Sequence, residues 1–123
     1  MFLNHRGLRV FLYHHRLDMR SGFERLSHLI REEMKNDLLE GHLYLFLGKN
    51  RRRAKVLLFD GTGLVLIHKR LETGRFMKVE DLWETQEMTT AELSLILDGS
   101  RVSLPLSPTC YKSKKAEKSE AFA

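Results

Sequence analysis

Two short apolar runs, Leu43-Tyr44-Leu45-Phe46-Leu47 and Val56-Leu57-Leu58-Phe59, flank the segment Lys49-Asn50-Arg51-Arg52-Arg53-Ala54-Lys55, in which five of seven residues are basic. Runs of this length, rich in branched and aromatic side chains, read as strands, and the short stretch between them reads as a hairpin connection. The cations then sit at an exposed tip. Packed this closely they repel one another and add nothing to a core, so an anionic partner, nucleic acid first, accounts for them best. A plainer reading competes with it: a charged turn keeps two apolar strands from pairing with other chains.

At 123 residues the chain has the size of one domain with one core. Its longest apolar run falls far short of the roughly 20 residues that cross a bilayer. Met1-Phe2-Leu3-Asn4-His5-Arg6 lacks the charged-then-apolar order of a signal peptide. The expectation is a soluble cytoplasmic protein with no membrane partner. A single cysteine, Cys110, rules out an internal disulfide or a cysteine-based metal cluster.

The net charge of +5 is unevenly spread. Residues 37–79 carry nine Lys and Arg against four Asp and Glu, whereas residues 80–100 carry six acids and no Lys or Arg. Such asymmetry suits a surface that binds a polyanion on one side and meets a basic partner on the other. The acidic stretch serves equally as the solvated side of a helix and its lead-in.

Leu8 to Tyr13 reads as a first strand. Ser21 lies three residues before Glu24, the spacing of a capping box, and Phe23, Leu26, Ile30 and Met34 fall on one face of a helix running to about Lys35. Asp60-Gly61-Thr62-Gly63 is a turn signal, and Leu64-Val65-Leu66-Ile67 a further strand, so three antiparallel strands form a meander that buries an apolar face under that helix. Gly74 marks another turn. Thr89-Thr90-Ala91-Glu92 is a second capping-box spacing, with Leu93, Ile96 and Leu97 as the stripe and Gly99 as the stop. Beyond Pro108 the chain is polar and basic. The fold expected is α+β: residues 1–108 form one small domain of a strand, a long amphipathic helix, a three-stranded antiparallel meander and a short C-terminal helix, and residues 109–123 form a disordered basic tail.

Four blocks in this order and at these separations carry a family resemblance: Asp18-Met19-Arg20-Ser21-Gly22-Phe23, Asn50-Arg51-Arg52-Arg53, Asp60-Gly61-Thr62-Gly63, and Lys69-Arg70-Leu71-Glu72-Thr73-Gly74-Arg75-Phe76. Over about residues 8 to 99 the chain resembles the small accessory protein of the sixty-six group of bacterial insertion sequences, the Orf2-like or TnpB-type product of their second reading frame. The resemblance implies a helper encoded beside a larger transposase, without an established catalytic activity of its own. The chain departs from the family pattern after Gly63, where Leu64, Val65 and Ile67 replace aromatic residues, and after Phe76, where Met77-Lys78 replaces Trp-Pro.

Three acids, Asp18, Asp60 and Glu72, occur in the order of a two-metal nuclease, whose cations about 4 Å apart need converging carboxylates. Each has a simpler local explanation: Asp60 in its turn, Asp18 before the helix, Glu72 beside Lys69 and Arg70. His14-His15 are adjacent and point apart in extended chain, His28, His42 and His68 are isolated, and no metal-ligand spacing is present. The Asp60 turn lacks the Lys-Ser/Thr of a phosphate loop.

The reading is therefore a non-catalytic accessory protein for DNA transposition. Arg51, Arg52, Arg53, Lys55, Lys69, Arg70 and Arg75 are expected to contact phosphates, with Arg20 as an outlier that Asp18 can instead hold in a structural clasp. No catalytic residue, metal, cofactor or small-molecule substrate is expected. DNA, as transposon ends, is the expected partner, together with the co-encoded transposase and the other accessory protein. The alternative is an adaptor that docks on the transposase through Trp83, set among Glu80, Asp81, Glu84 and Glu87, without touching DNA.

Overall fold

The structure, a computed structural model, describes residues 8–82 and 87–99. Strand β1 (Val10–Leu12) leads to helix α1 (Phe23–His28), which continues as a π-helical turn over Leu29–Glu33. A 3₁₀ turn (Leu38–Glu40) precedes β2 (Leu43–Leu47), β3 (Arg53–Phe59) and β4 (Leu64–Arg70). A second 3₁₀ turn (Val79–Leu82), a two-residue strand β5 (Glu87–Met88) and helix α2 (Thr90–Leu97) complete the described chain.

The five strands form one mixed sheet in the order β4-β3-β2-β1-β5. Strands β2, β3 and β4 are the expected meander, each antiparallel to the next. Strand β1 pairs parallel to β2, with Val10 opposite Leu43, so α1 lies on the crossover between them. Parallel neighbours need such a crossover, and the sheet beneath must then be apolar on both faces. The unbroken apolar run of β2 meets that need: all five of its residues are buried.

Alternation sorts the strand residues between two cores. Val10, Leu12, Leu43, Leu45, Leu47, Ala54, Val56 and Leu58 face Leu71, Phe76, Val79, Leu82, Leu93 and Ile96, the layer that contains α2. Tyr13, Tyr44, Phe46 and Leu57 face Leu26, Leu29 and Ile30 of the α1 layer. The domain is thus an α+β sheet covered by a helix on each side.

Three expectations need correction. The α1 capping box does not form: Gly22 is the N-cap and no side chain caps the helix. The Ser21 carbonyl instead accepts from Lys55 Nζ at 2.6 Å, which holds the segment against β3. Phe23, placed in the core by its spacing, is 45% exposed, and the third core residue of α1 is Leu29. The buried stripe Leu26-Leu29-Ile30 is centred one position round the helix from Phe23, and the π turn, closed by Met34 N–H to Leu29 C=O at 2.9 Å, keeps Leu29 and Ile30 both inward. The helix is also shorter than expected, ending before Lys35, which takes φ 58°. The second capping box forms in full, with Thr89 and Glu92 bonded reciprocally, and Gly99 follows α2 at φ 104°. The tail beyond Pro108 lies outside the described residues.

Candidate nucleic-acid interface

The β2–β3 connection, residues 48–52, is built on tight main-chain contacts. Gly48 N–H donates to the Arg53 carbonyl at 2.9 Å, and Gly48 also bridges in parallel to Leu17. A Cβ at Gly48 would lie 2.9 Å from the Arg53 carbonyl oxygen and 3.0 Å from Met19 Cγ, so only glycine lets the Leu17–Arg20 segment cross the hairpin this closely. Arg51 occupies the left-handed region at φ 63°, uncommon for a side chain of this size. Phe76, twenty-five residues on, holds it there. Phe76 N–H donates to the Arg51 carbonyl at 2.6 Å and Arg51 Nε donates to the Phe76 carbonyl at 2.9 Å.

Register assigns the remaining cations to faces, because directly opposed residues of paired strands share a face. Arg53 is opposite Arg70 and Lys55 is opposite His68, on the α1 side with Leu57 and Leu66. Ala54 is opposite Lys69, on the α2 side with Val56 and Ile67. Arg51, through Phe76, also braces the α2 side, and Arg52 anchors the next loop through Leu71 N–H to its carbonyl at 2.8 Å. Arg52 and Arg75 have exposed side chains.

The α1-side cations are crowded. Lys55 is 6% exposed. Burial lowers its pKa, an effect opposed by the Asp18 carboxylate. His68, though exposed, is lowered too, by partial desolvation first and then by the positive charges of Lys55 and Arg53. Beside them, Asp18 grips Arg20 through both carboxylate oxygens, with Arg20 Nη2 at 2.6 Å, and this clasp holds the Asp18 carboxyl well below the usual carboxylate range. A depression of about 290 Å³ is lined by Leu17, Asp18, Met19, Arg20, Lys49, Asn50 and Arg53. Three cations thus face a single carboxylate that is already taken by one of them.

Lys49 and His68 were not among the site residues expected from sequence. Lys49 belongs to the basic block, and its place beside Arg20 follows only once Gly48 brings Leu17 to the tip. His68 is isolated in sequence, yet two residues before Arg70 on a strand it shares that residue's face. Alternation along β4 was the available signal.

The three acids of the nuclease pattern do not converge. Asp60 and Glu72 lie beyond opposite ends of β4, whose seven residues span about 23 Å at about 3.3 Å each. Asp60 Oδ1 accepts from Thr62 N–H, Thr62 Oγ1 and Gly63 N–H, and Glu72 accepts from Arg70. Acids of residues 80–100 are also engaged within the fold: Glu80 pairs with Arg16, Glu87 with Arg9, and Glu92 closes the α2 cap. Trp83, the expected partner anchor, lies outside the described residues. Among those described, no helix is long and apolar enough to cross a membrane.

The model of the family described as IS66 Orf2 like protein matches residues 8–106, most of the chain. The chain belongs to the IS66 Orf2-like family. It is 35% identical over 98 residues to "Uncharacterized protein y4hO" of Sinorhizobium fredii (strain NBRC 101917 / NGR234), covering 76% of this chain and 81% of that protein. To "Uncharacterized protein y4jC" of the same strain it is 30% identical over 94 residues, covering 76% and 80%. No solved structure matches.

In this IS66 Orf2-like protein the fold brings separate sequence blocks together. Asp18–Phe23, Asn50–Arg53 and Lys69–Phe76 meet at one end of the β3–β4 hairpin through the Leu17–Gly48, Arg53–Arg70 and Arg51–Phe76 contacts. Only the Asp60–Gly63 turn lies at the other end.

Proposed function

We propose that this protein is a non-catalytic accessory factor of insertion-sequence transposition that grips the phosphodiester backbone of DNA, at the transposon ends, with the α1-side face of the β3–β4 hairpin. The observation that carries the proposal is the β3–β4 register, which sets the cations Arg53 and Arg70 directly opposite each other and Lys55 opposite the titratable His68. Like charges directly opposed across a sheet are destabilising, and a phosphate placed between them reverses the sign of that interaction. Lys49 and Arg20 extend the positive field along the 290 Å³ depression. Lys55, held from beneath by Ser21, adds charge without reaching far into solvent. Family membership supplies the transposition context and the expected company of a transposase.

Contacts of this kind position a protein on DNA without reading its sequence. Titration of a labelled duplex at several salt concentrations tests the proposal. With about five phosphates neutralised, log K should fall with log salt at a slope of about −4 to −5, and unrelated sequences should bind alike. Absence of binding at low salt would overturn it.

A further inference from the structure

Among the described residues, β4 hydrogen-bonds on one side only, to β3, so its outer edge presents free main-chain donors and acceptors. Such an edge is a template for another strand. Two of the four large apolar side chains exposed in the described structure lie on it, and a third is close to one end. Leu64 and Ile67 belong to β4 itself, at 36% and 37% exposure. Leu39 joins Leu64, Phe59 and Ile30 in lining a groove of about 750 Å³ at the Asp60 end of the hairpin.

We propose that β4 pairs antiparallel with β4 of a second copy about a two-fold axis near Val65, joining two sheets into one. Three features select a second copy as the occupant. First, the edge is self-complementary in charge: Asp60, ionised by its turn hydrogen bonds, lies before one end of β4, and Lys69 and Arg70 form the other. Antiparallel pairing sets each end beside its opposite, twice by symmetry. Second, centring on Val65 aligns Leu64 with Leu66 of the second copy on the α1 side and keeps every cation off the axis. Third, the two Arg70 residues then lie ten residues apart along the joined edge, about 33 Å at about 3.3 Å per residue. That is close to one turn of B-DNA, about 34 Å, the spacing at which a two-fold dimer meets successive grooves. This third feature rests on the DNA-binding proposal; the first two do not.

The test is made on the full chain without DNA, so that it stands or falls separately from nucleic-acid binding. Sedimentation equilibrium should show a concentration-dependent dimer, weakened at least about tenfold by Leu64→Lys, with the circular dichroism spectrum unchanged. In a Cys110→Ser background, Val65→Cys should form a disulfide-linked dimer on mild oxidation, because directly opposed strand residues have Cα atoms within the roughly 4.4–6.8 Å a disulfide spans. Ile67→Cys should not, since the two copies of that position fall about 13 Å apart. A wild-type monomer up to about 100 µM, as expected if another part of this chain or a foreign chain covers the edge, would overturn the proposal. So would a dimer indifferent to Leu64→Lys, or cross-linking through position 67 and not 65.

Discussion

Arg53 and Arg70 face each other directly across β3 and β4, one on each strand of the hairpin's exposed end. Opposed like charges cost an antiparallel pair roughly 0.2–1 kcal/mol, and partial exposure places this pair toward the low end. Arg70 also bonds Glu72, so Arg53 is the residue whose charge can be removed without breaking an ion pair between them. Arg53→Gln should therefore leave the free protein as stable as before or a few tenths of a kcal/mol more stable, while weakening DNA binding. Urea unfolding beside a DNA titration checks this. Loss of stability with unchanged DNA affinity would give Arg53 a structural role instead.

His68 makes the same surface sensitive to pH. Its folded pKa lies below the ordinary value because of partial desolvation and the charges of Lys55 and Arg53, so at mildly acid pH the unfolded chain binds a proton that the folded chain resists. Its contribution to stability is therefore fully present above the unfolded value of about 6.5 and is lost as pH falls through that value and below. A bound phosphate favours the protonated ring, so DNA affinity should move the opposite way and rise over the same window. His68→Gln should flatten both dependences. Parallel pH profiles in the variant and the wild type would show that other groups carry them.

The core of the α1 layer depends on Leu29 rather than Phe23. Leu29→Ala removes a side chain that is fully buried and should cost about 2–5 kcal/mol. Phe23→Ala, at 45% exposure, should cost less than about 1 kcal/mol when the protein is dilute enough to keep copies apart. Denaturant midpoints of the two variants should differ widely. Equal losses would mean that the helix packs by a different face.

Gly48 positions the loop that brings Arg20 to the tip. Gly48→Ala must displace the Arg53 carbonyl and also crowds Met19, and overpacking of this kind typically costs about 1–3 kcal/mol. Thermal melting should show the loss. Unchanged stability would mean that the start of β3 and the Leu17–Arg20 segment both yield freely.

Local signals were legible in the sequence and distant pairings were not. The β2–β3 hairpin and β4 followed from short apolar runs and turn residues, and the α2 cap from the Thr89–Glu92 spacing, because each is decided by neighbours a few residues apart. The parallel pairing of β1 with β2 joins residues more than thirty positions apart, and β5 has only two residues, too few for any periodicity. Phe23 fitted the helical step pattern but lay at its margin, where the choice between core and solvent is made by what the sheet presents beneath. The same holds at the site. A basic hairpin could be read from Lys49 to Lys55, but its division into a face with Arg53, Lys55, His68 and Arg70 and a face with Lys69 needed the β3–β4 register. Arg51 belongs with neither in sequence terms, since its partner Phe76 is twenty-five residues away.

The salt dependence of duplex binding separates the two faces of the hairpin. Two double variants should be compared, Arg53→Ala with Arg70→Ala on the α1 side and Lys69→Ala with Arg75→Ala elsewhere on the hairpin and its following loop, each checked for an intact fold by circular dichroism. The first should weaken binding to all sequences and flatten the slope of log K against log salt by about 1.8, two contacts at about 0.9 each, while the second leaves the slope near the wild-type value. An unchanged slope in the Arg53 and Arg70 variant, or an equal flattening in the other, would mean that DNA does not bind the α1-side face.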